Sequence, residues 1–244
     1  MNPFELINIW RYEGSPFSIP CPHCASIATY EKEKAKSYPS YQSEVAFELT
    51  GEVLEECPGT FFGQCTCNNA KCQERTYFIG PYCVKENDYD NEPVYREFMI
   101  KYFIPPVPLI QIPDATPSIV SELLKRSFAP AFMDQAASGH LLRSAIEKLL
   151  TALKVPRFVV SAKKRRVRLT LHTRIEKLPS VFQTYREALL AIKWIGNAAT
   201  HENLSVEDLK LLYEIVEDLL ENLYGTKKRE LLRAIRRVNR RERP

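Results

Sequence analysis

Three stretches of this sequence have side chains of the type and spacing that chemistry needs. The first is Cys21-Pro-His-Cys24, two thiols two residues apart. A tight turn at that spacing aims both sulfurs at one ion, and Pro22 restricts the turn further. A tetrahedral site then needs a second pair, and FFGQCTCNNAKCQERTYFIG offers Cys67 and Cys72. Apolar, β-prone residues flank the polar NNAK, which reads as a hairpin with one ligand at each shoulder. The expected set is Cys21, Cys24, Cys67 and Cys72 around one structural zinc, since four thiolates leave no open position for catalysis. Cys65 competes with Cys67: two apart on a strand they share a face, and a slip of the hairpin exchanges them. Cys57 and Cys83 read as spare or core thiols, and His23, inside the knuckle turn, is expected to face solvent. A cluster of buried reduced cysteines is the rival reading.

The second stretch is KKRRVR, with five cations in residues 163–168. The C-terminal residues 227–244 add nine Lys or Arg against two Glu, although the whole chain carries only +4. Such clusters bind phosphate backbones without reading sequence. RNA or DNA is the expected partner of Lys163, Lys164, Arg165, Arg166 and Arg168, and of Lys227, Lys228, Arg229, Arg233, Arg236, Arg237 and Arg240. The tail has two other readings. It is a solvated helix face, or it docks through Leu231, Ile235 and Val238 on the helices or on a partner.

The third stretch is WIGNAATHE, residues 194–202. Asn197 and His201 are four apart and share a helix face. A neutral imidazole there can take a proton from a ribose 2′-hydroxyl, with Asn197 orienting it and Arg143 or Lys193 on the phosphate. Alternatively Gly196 permits close helix packing, and Asn197 and His201 bond to backbone or to Glu147. The structural reading is the stronger. Arg143 and Glu147, also four apart, read as a helix-face ion pair.

These groups need elements to position them. The chain has 244 residues, 45% hydrophobic and 26% charged, which suits a globular protein of two units. All seven cysteines fall between Cys21 and Cys83. The N-terminus lacks a signal-peptide pattern, and no run reaches the roughly 18 apolar residues of a membrane helix. A cytoplasmic protein with reduced thiols and no membrane partner is expected. The fold class is α+β. A cysteine-rich zinc ribbon or knuckle with β-hairpins spans 1–103, and a proline-rich extended linker spans 104–117. An α-helical bundle spans 118–225 and a basic helix or tail 226–244. Within the bundle, Pro117 starts a helix that Pro130 bends or ends. Leu141, Leu142, Ala145, Ile146, Leu149, Leu150 and Leu153 give the next helix an apolar face, with Gly139 weakening its beginning. A basic connector follows. A helix near Leu171–Leu178 stops at Pro179, and another runs from Ser180 to Ile195 or beyond. Ser205 and Asp208 cap the next, and Gly225 ends it.

From about residue 104 to 224 the chain resembles a bacterial domain-of-unknown-function family often encoded beside restriction and phage-defence genes. The residues that carry the likeness are IPPVPLIQIP, AASGHLLRSAIEKLL, RIEKL, KWIGNAATHE and SVEDLKLL, in that order. Members of that family often carry an N-terminal zinc knuckle like CPHC…CNNAKC. The helical part resembles the HEPN (higher eukaryote and prokaryote nucleotide-binding) superfamily, which includes metal-independent ribonucleases. Those enzymes use an Arg, a polar residue and a His, usually paired across a dimer. The resemblance therefore implies a HEPN-like bundle, a homodimer through it, and an antiphage or restriction-associated role with a defence-system protein partner. Lys193 stands where the family has Arg before W-I-G-N, and an ammonium lacks the planar fork that holds two phosphate oxygens. The expected function is binding of nucleic acid or action on it, with metal-independent RNA cleavage left open. The alternative is a non-catalytic assembly module or regulatory partner of a defence complex.

Overall fold

The computed structural model describes residues 2–51, 58–86, 94–201, 204–226 and 235–238; for residues 86, 94 and 196–201 it describes the backbone alone. The chain divides into two compact units. One is formed by Met1–Leu109 with Phe128–Asp134, the other by Ile110–Ser127 with Gln135–Pro244.

The first unit is built on one antiparallel sheet of eight strands, larger than the hairpins expected from the sequence. Its strands are β1 (Trp10–Tyr12), β2 (Ser18–Pro20), β3 (Ile27–Tyr30), β4 (Lys36–Pro39), β5 (Gly59–Cys67), β6 (Arg75–Glu86), β7 (Val94–Met99) and β8 (Tyr102–Ile104). The order is β1-β7-β6-β5-β3-β2. The long β5 and β6 form the middle, in register from Gly59 opposite Tyr82 to Thr66 opposite Arg75. Each is flanked by two short strands in line: β3 and β4 along β5, β7 and β8 along β6. Gly80 sits where the chain between β7 and β8 presses on β6. A Cβ there would come within 1.8 Å of the Met99 carbonyl oxygen, so no other residue fits.

Aromatic rings fill the core on one face of this sheet. Phe61 and Phe98 stack nearly parallel, with centroids 4.3 Å apart. Phe17 stacks on Tyr30 at 4.9 Å, and Phe103 meets Phe132 edge-on at 4.9 Å. Each buried ring of this kind stabilises by about 1.5–3 kcal/mol. The residues from Pro105 to Pro117 are not the bare linker that their prolines suggest. Val107, Leu109 and Ile110, set between the prolines, are buried. The unit also has a helix that the sequence did not advertise, α1 (Tyr41–Thr50). Ser40 caps it, and the Ser43 hydroxyl donates to the Pro58 carbonyl at 2.7 Å.

The second unit is mainly helical: α2 (Ser118–Phe128), α3 (Gln135–Ala152), α4 (Leu171–Glu176), α5 (Arg186–His201) and α6 (Val206–Tyr224). α3 packs against α4, α5 and α6, and α5 packs on α6. Leu142, Ile146, Leu149, Leu189, Ile192, Leu209, Leu212 and Val216 are buried between them, as their three- and four-residue spacing demands. Ser205 caps α6: its oxygen accepts the Asp208 amide at 3.0 Å, and its hydroxyl donates to the Asp208 carboxylate at 2.9 Å. Gly225 ends α6 in an extended conformation, not the left-handed one usual for a capping glycine. Space is the reason for glycine here, because a Cβ would meet the Glu221 carbonyl oxygen at 2.4 Å. The helix expected from Ser180 instead begins as a 3-10 turn, Ser180–Tyr185, where the Gln183 amide reaches back to the Leu178 carbonyl at 2.8 Å. The basic connector is also ordered. It forms a two-stranded hairpin, β9 (Phe158–Val160) with β10 (Arg166–Arg168).

One hydroxyl cluster lies inside this unit. Tyr213 is fully buried, with its phenol oxygen 2.6 Å from Ser127 Oγ and 2.9 Å from Ser138 Oγ. Ser127 Oγ donates onward to the Leu124 carbonyl at 2.6 Å. Burial holds the phenol well above its ordinary pKa of about 10. The raised folded value means full stability below pH 10 and loss as pH rises beyond it, when only the unfolded chain ionises. Tyr213→Phe is expected to cost about 0.5–1.5 kcal/mol for the lost phenol bonds, since Ser127 Oγ keeps the Leu124 carbonyl and Ser138 Oγ keeps the Ser127 carbonyl. It should also flatten the alkaline fall in stability, and chemical denaturation of both proteins across alkaline pH measures both effects.

Candidate metal centre

Two turns of the first unit bring four cysteines together. Cys21 and Cys24 lie in the turn between β2 and β3; Cys67 ends β5, and Cys72 lies in the turn before β6. Their sulfurs all lie within 4.8 Å of one another. Cys24 Sγ is 3.5 Å from Cys67 Sγ, and Cys21 Sγ is 3.8 Å from Cys72 Sγ. Metal–sulfur bonds of about 2.3 Å in a tetrahedron put the sulfurs about 3.8 Å apart, so the cluster has the dimensions to hold one ion. All four are free thiols, at distances well beyond a disulfide.

The two turns share a backbone pattern that explains the looser spacing of the second pair. In the first, the Ala25 amide donates to the Cys21 carbonyl at 3.0 Å, and Ala25 has φ 56°. In the second, the Gln73 amide donates to the Asn69 carbonyl at 3.0 Å, and Gln73 has φ 50°. Asn69 thus occupies the position of the first cysteine in a Cys-x-x-Cys turn. The ligand itself moves back two residues to Cys67. Cys72 is consequently inside the turn and not on the far shoulder of the hairpin. Asn69 also donates to Cys24 Sγ at 3.8 Å, a contact that spacing alone did not signal.

The thiols differ in their readiness to ionise. Hydrogen bonds from the Ser26 side chain and then its backbone pull Cys24 down to about 6. For Cys72 the Glu74 amide pulls downward, but burial and the neighbouring sulfurs outweigh it and push the thiol up to about 12. Burial raises Cys67 as well. Cys24 is therefore the sulfur that ionises most readily, whereas Cys67 and Cys72 need a cation to do so. His23 is exposed, with Nδ1 3.5 Å from Cys72 Sγ, beside the cluster. Cys65 shares the inner face of β5 but is buried apart from the four, and burial pushes it up to about 12. Cys83 is buried on β6, and Cys57 lies outside the described residues.

Trp194 to His201 of WIGNAATHE close α5, and Glu202 lies outside the described residues. Lys193 is folded over the indole of Trp194, its Nζ 3.3 Å from the ring centre. The side chains of Asn197 and His201 lie outside the described residues. Glu147 on α3 holds Arg168 of β10 at 3.2 Å, a partner the helix spacing did not suggest. Arg143 is half-buried on α3.

Residues 126–241 match DUF4145, a domain of unknown function. No curated protein and no solved structure matches the chain. The DUF4145 region begins within α2 and contains α3 to α6 and the β9–β10 hairpin, whereas the four cysteines precede it. Its hairpin exposes Lys163, Lys164, Arg165, Arg166 and Arg168. Arg166 lies over the Phe158 ring at 3.9 Å, and Arg157 is 5.8 Å from the same ring. Near the end of the DUF4145 match, Arg236 and Arg237 are exposed on a helical turn with Ile235 and Val238. Lys227, Lys228, Arg229, Arg233 and Arg240 lie outside the described residues. A further basic residue of the DUF4145 region escaped sequence reasoning. Arg174 of α4 is only 2% exposed, and it donates to the Glu147 carbonyl at 2.8 Å, Thr151 Oγ1 at 2.9 Å and the Val155 carbonyl at 3.3 Å.

Proposed function

We propose that this chain binds nucleic acid through its helical unit, while zinc at the four cysteines holds the sheet unit together. The β9–β10 hairpin is the observation that carries the binding. Residues 157–169 contain six Lys or Arg and no acidic residue. The hairpin holds them in a fixed frame that a solvated coil lacks, so less ordering is lost on binding. Thiolate softness and tetrahedral dimensions favour zinc among common ions. The likeness to nucleotide-binding helical domains and to a defence-associated family supports an antiphage or restriction-associated role. Binding, and not cleavage, is the reading favoured by Lys193, whose ammonium is already engaged by Trp194.

Salt titration of affinity tests this. With about five phosphate contacts, affinity falls by roughly two to three powers of ten between about 50 and 200 mM salt. Neutralising Lys163 and Arg165 together lowers the slope by about two. No binding at low salt ends the proposal, and an unchanged slope removes the hairpin from it. RNA cleavage that resists EDTA and vanishes in a folded His201→Ala protein would replace binding by ribonuclease action.

A further inference from the structure

The shape of the hairpin narrows the kind of nucleic acid, given that the binding reading holds. β9 and β10 form three residue pairs, Arg166 with Val160, Val167 with Val159 and Arg168 with Phe158. The loop between them is closed by its own bonds. The Ser161 amide donates to the Arg165 carbonyl at 2.9 Å, and the Lys164 amide to the Ser161 carbonyl at 2.8 Å. The base is fixed by Arg168 on Glu147 at 3.2 Å and by the Leu169 amide on the Arg157 carbonyl at 2.9 Å. This is a short ribbon with a cationic tip, closed by its own bonds at the loop and at the base.

Its one aromatic ring is taken. Phe158 is covered by the Arg166 guanidinium at 3.9 Å and approached by Arg157 at 5.8 Å. Single strands are held chiefly by stacking successive bases on open aromatic faces, and the hairpin has a single ring, already carrying a guanidinium. An RNA duplex has a deep, narrow major groove that side chains cannot enter. The major groove of B-form DNA, about 12 Å wide and 8.5 Å deep, admits a two-stranded β-ribbon. Three residue pairs at about 3.3 Å each give an arm roughly 10 Å long, which matches that depth.

We propose that the β9–β10 ribbon enters the major groove of duplex DNA tip first, with Lys163 and Lys164 leading and Arg157 and Arg166 on the flanking phosphates. The stack on Phe158 holds the Arg166 guanidinium flat before DNA arrives.

The test is fluorescence anisotropy of the full chain with a random-sequence DNA duplex, the RNA duplex of the same sequence and the single DNA strand. The DNA duplex is expected to bind about tenfold more tightly than either of the others. Methyl green, which fills the major groove, should compete, and netropsin, which fills the minor groove, should not. Lys164 has φ 55°, a conformation glycine adopts freely. Lys164→Gly therefore removes a charge without opposing the turn, and should lower the salt slope by about one while the protein stays folded. Equal or tighter binding of the single strand or the RNA duplex, or competition by netropsin, would overturn groove entry and leave nucleic-acid binding standing. Absence of binding to all three, including a case where only anionic vesicles bind, overturns both.

Discussion

Cys21→Ser is expected to abolish metal binding and unfold the sheet unit. The unmodified chain should carry about one zinc, measured by elemental analysis of purified protein. The size of the effect follows from comparing two magnitudes. Structural zinc contributes an apparent 10–16 kcal/mol or so in small domains, whereas whole domains are stable by only about 5–15 kcal/mol. The four cysteines tie the β2–β3 turn to the β5–β6 turn, so losing one ligand frees both. Cys65→Ala is the contrasting case. Cys65 is fully buried but outside the cluster, so the variant should keep its metal and lose only about 1–2 kcal/mol for a small cavity. Near-ultraviolet circular dichroism, dominated by the aromatic core of the sheet, reports the fold in each. A Cys21→Ser protein with full metal and a native aromatic spectrum would sink the assignment, and so would a Cys65→Ala protein that has lost its metal.

The second large effect is expected at Arg174. This guanidinium reaches the carbonyl oxygens of Glu147 and Val155 and the hydroxyl of Thr151, all in or just beyond the last turns of α3. Helix C-termini present carbonyls without intrahelical partners, and a cation there also meets the negative end of the helix dipole. Burial pulls the guanidinium below its ordinary pKa, and the Glu147 carboxylate opposes that pull; the group remains charged. Arg174→Met replaces it with a side chain of similar reach and no donors. The expected cost is about 2–4 kcal/mol, from the lost charge-assisted bonds and the buried Val155 carbonyl left unpaired, while Thr151 Oγ1 still donates to the Glu147 carbonyl. For a unit of this size that lowers the melting temperature by roughly 10 °C or more. Arg174→Lys should recover only part, because one ammonium cannot span three separated acceptors. A melting temperature in Arg174→Met within about a degree of the unmodified protein would show that water satisfies these carbonyls equally well.

The parts of the structure legible in the sequence are those set by local chemistry. Cys21-Pro-His-Cys24 announces a turn on an ion because its geometry lies within four residues. Ser205 with Asp208 announces a helix start for the same reason. The helical faces of α3 and α6 follow from spacing alone. What the sequence hides depends on partners far along the chain. β3 and β4 lie end to end beside β5, and nothing local fixes that arrangement. The β9–β10 hairpin looks like a plain connector in the sequence because its run of Lys and Arg has little intrinsic preference for strands, and the stack of Arg166 on Phe158 bridges eight residues. α1 escaped because it buries only Ser43 and so shows no apolar stripe. The prolines before Pro117 mark an extended stretch but do not show that Val107, Leu109 and Ile110 between them are buried.

The short strands that flank β5 and β6 have a consequence for how this protein behaves in a crowded solution. A long, flat outer strand is a template on which another chain can add its own backbone, the first step towards fibrils and exchanged dimers. Here β1, β2 and β8 have three residues each and β4 has four. β2 and β4 end in Pro20 and Pro39, and Pro105 follows β8 directly; proline has no amide hydrogen to offer an incoming strand. An invading peptide would find two or three usable bonds before the ladder broke off, too few to offset the ordering of its own backbone. The long central strands β5 and β6 pair with each other on one side and with a second pair of strands along most of the other, so that little of their backbone is left as a template.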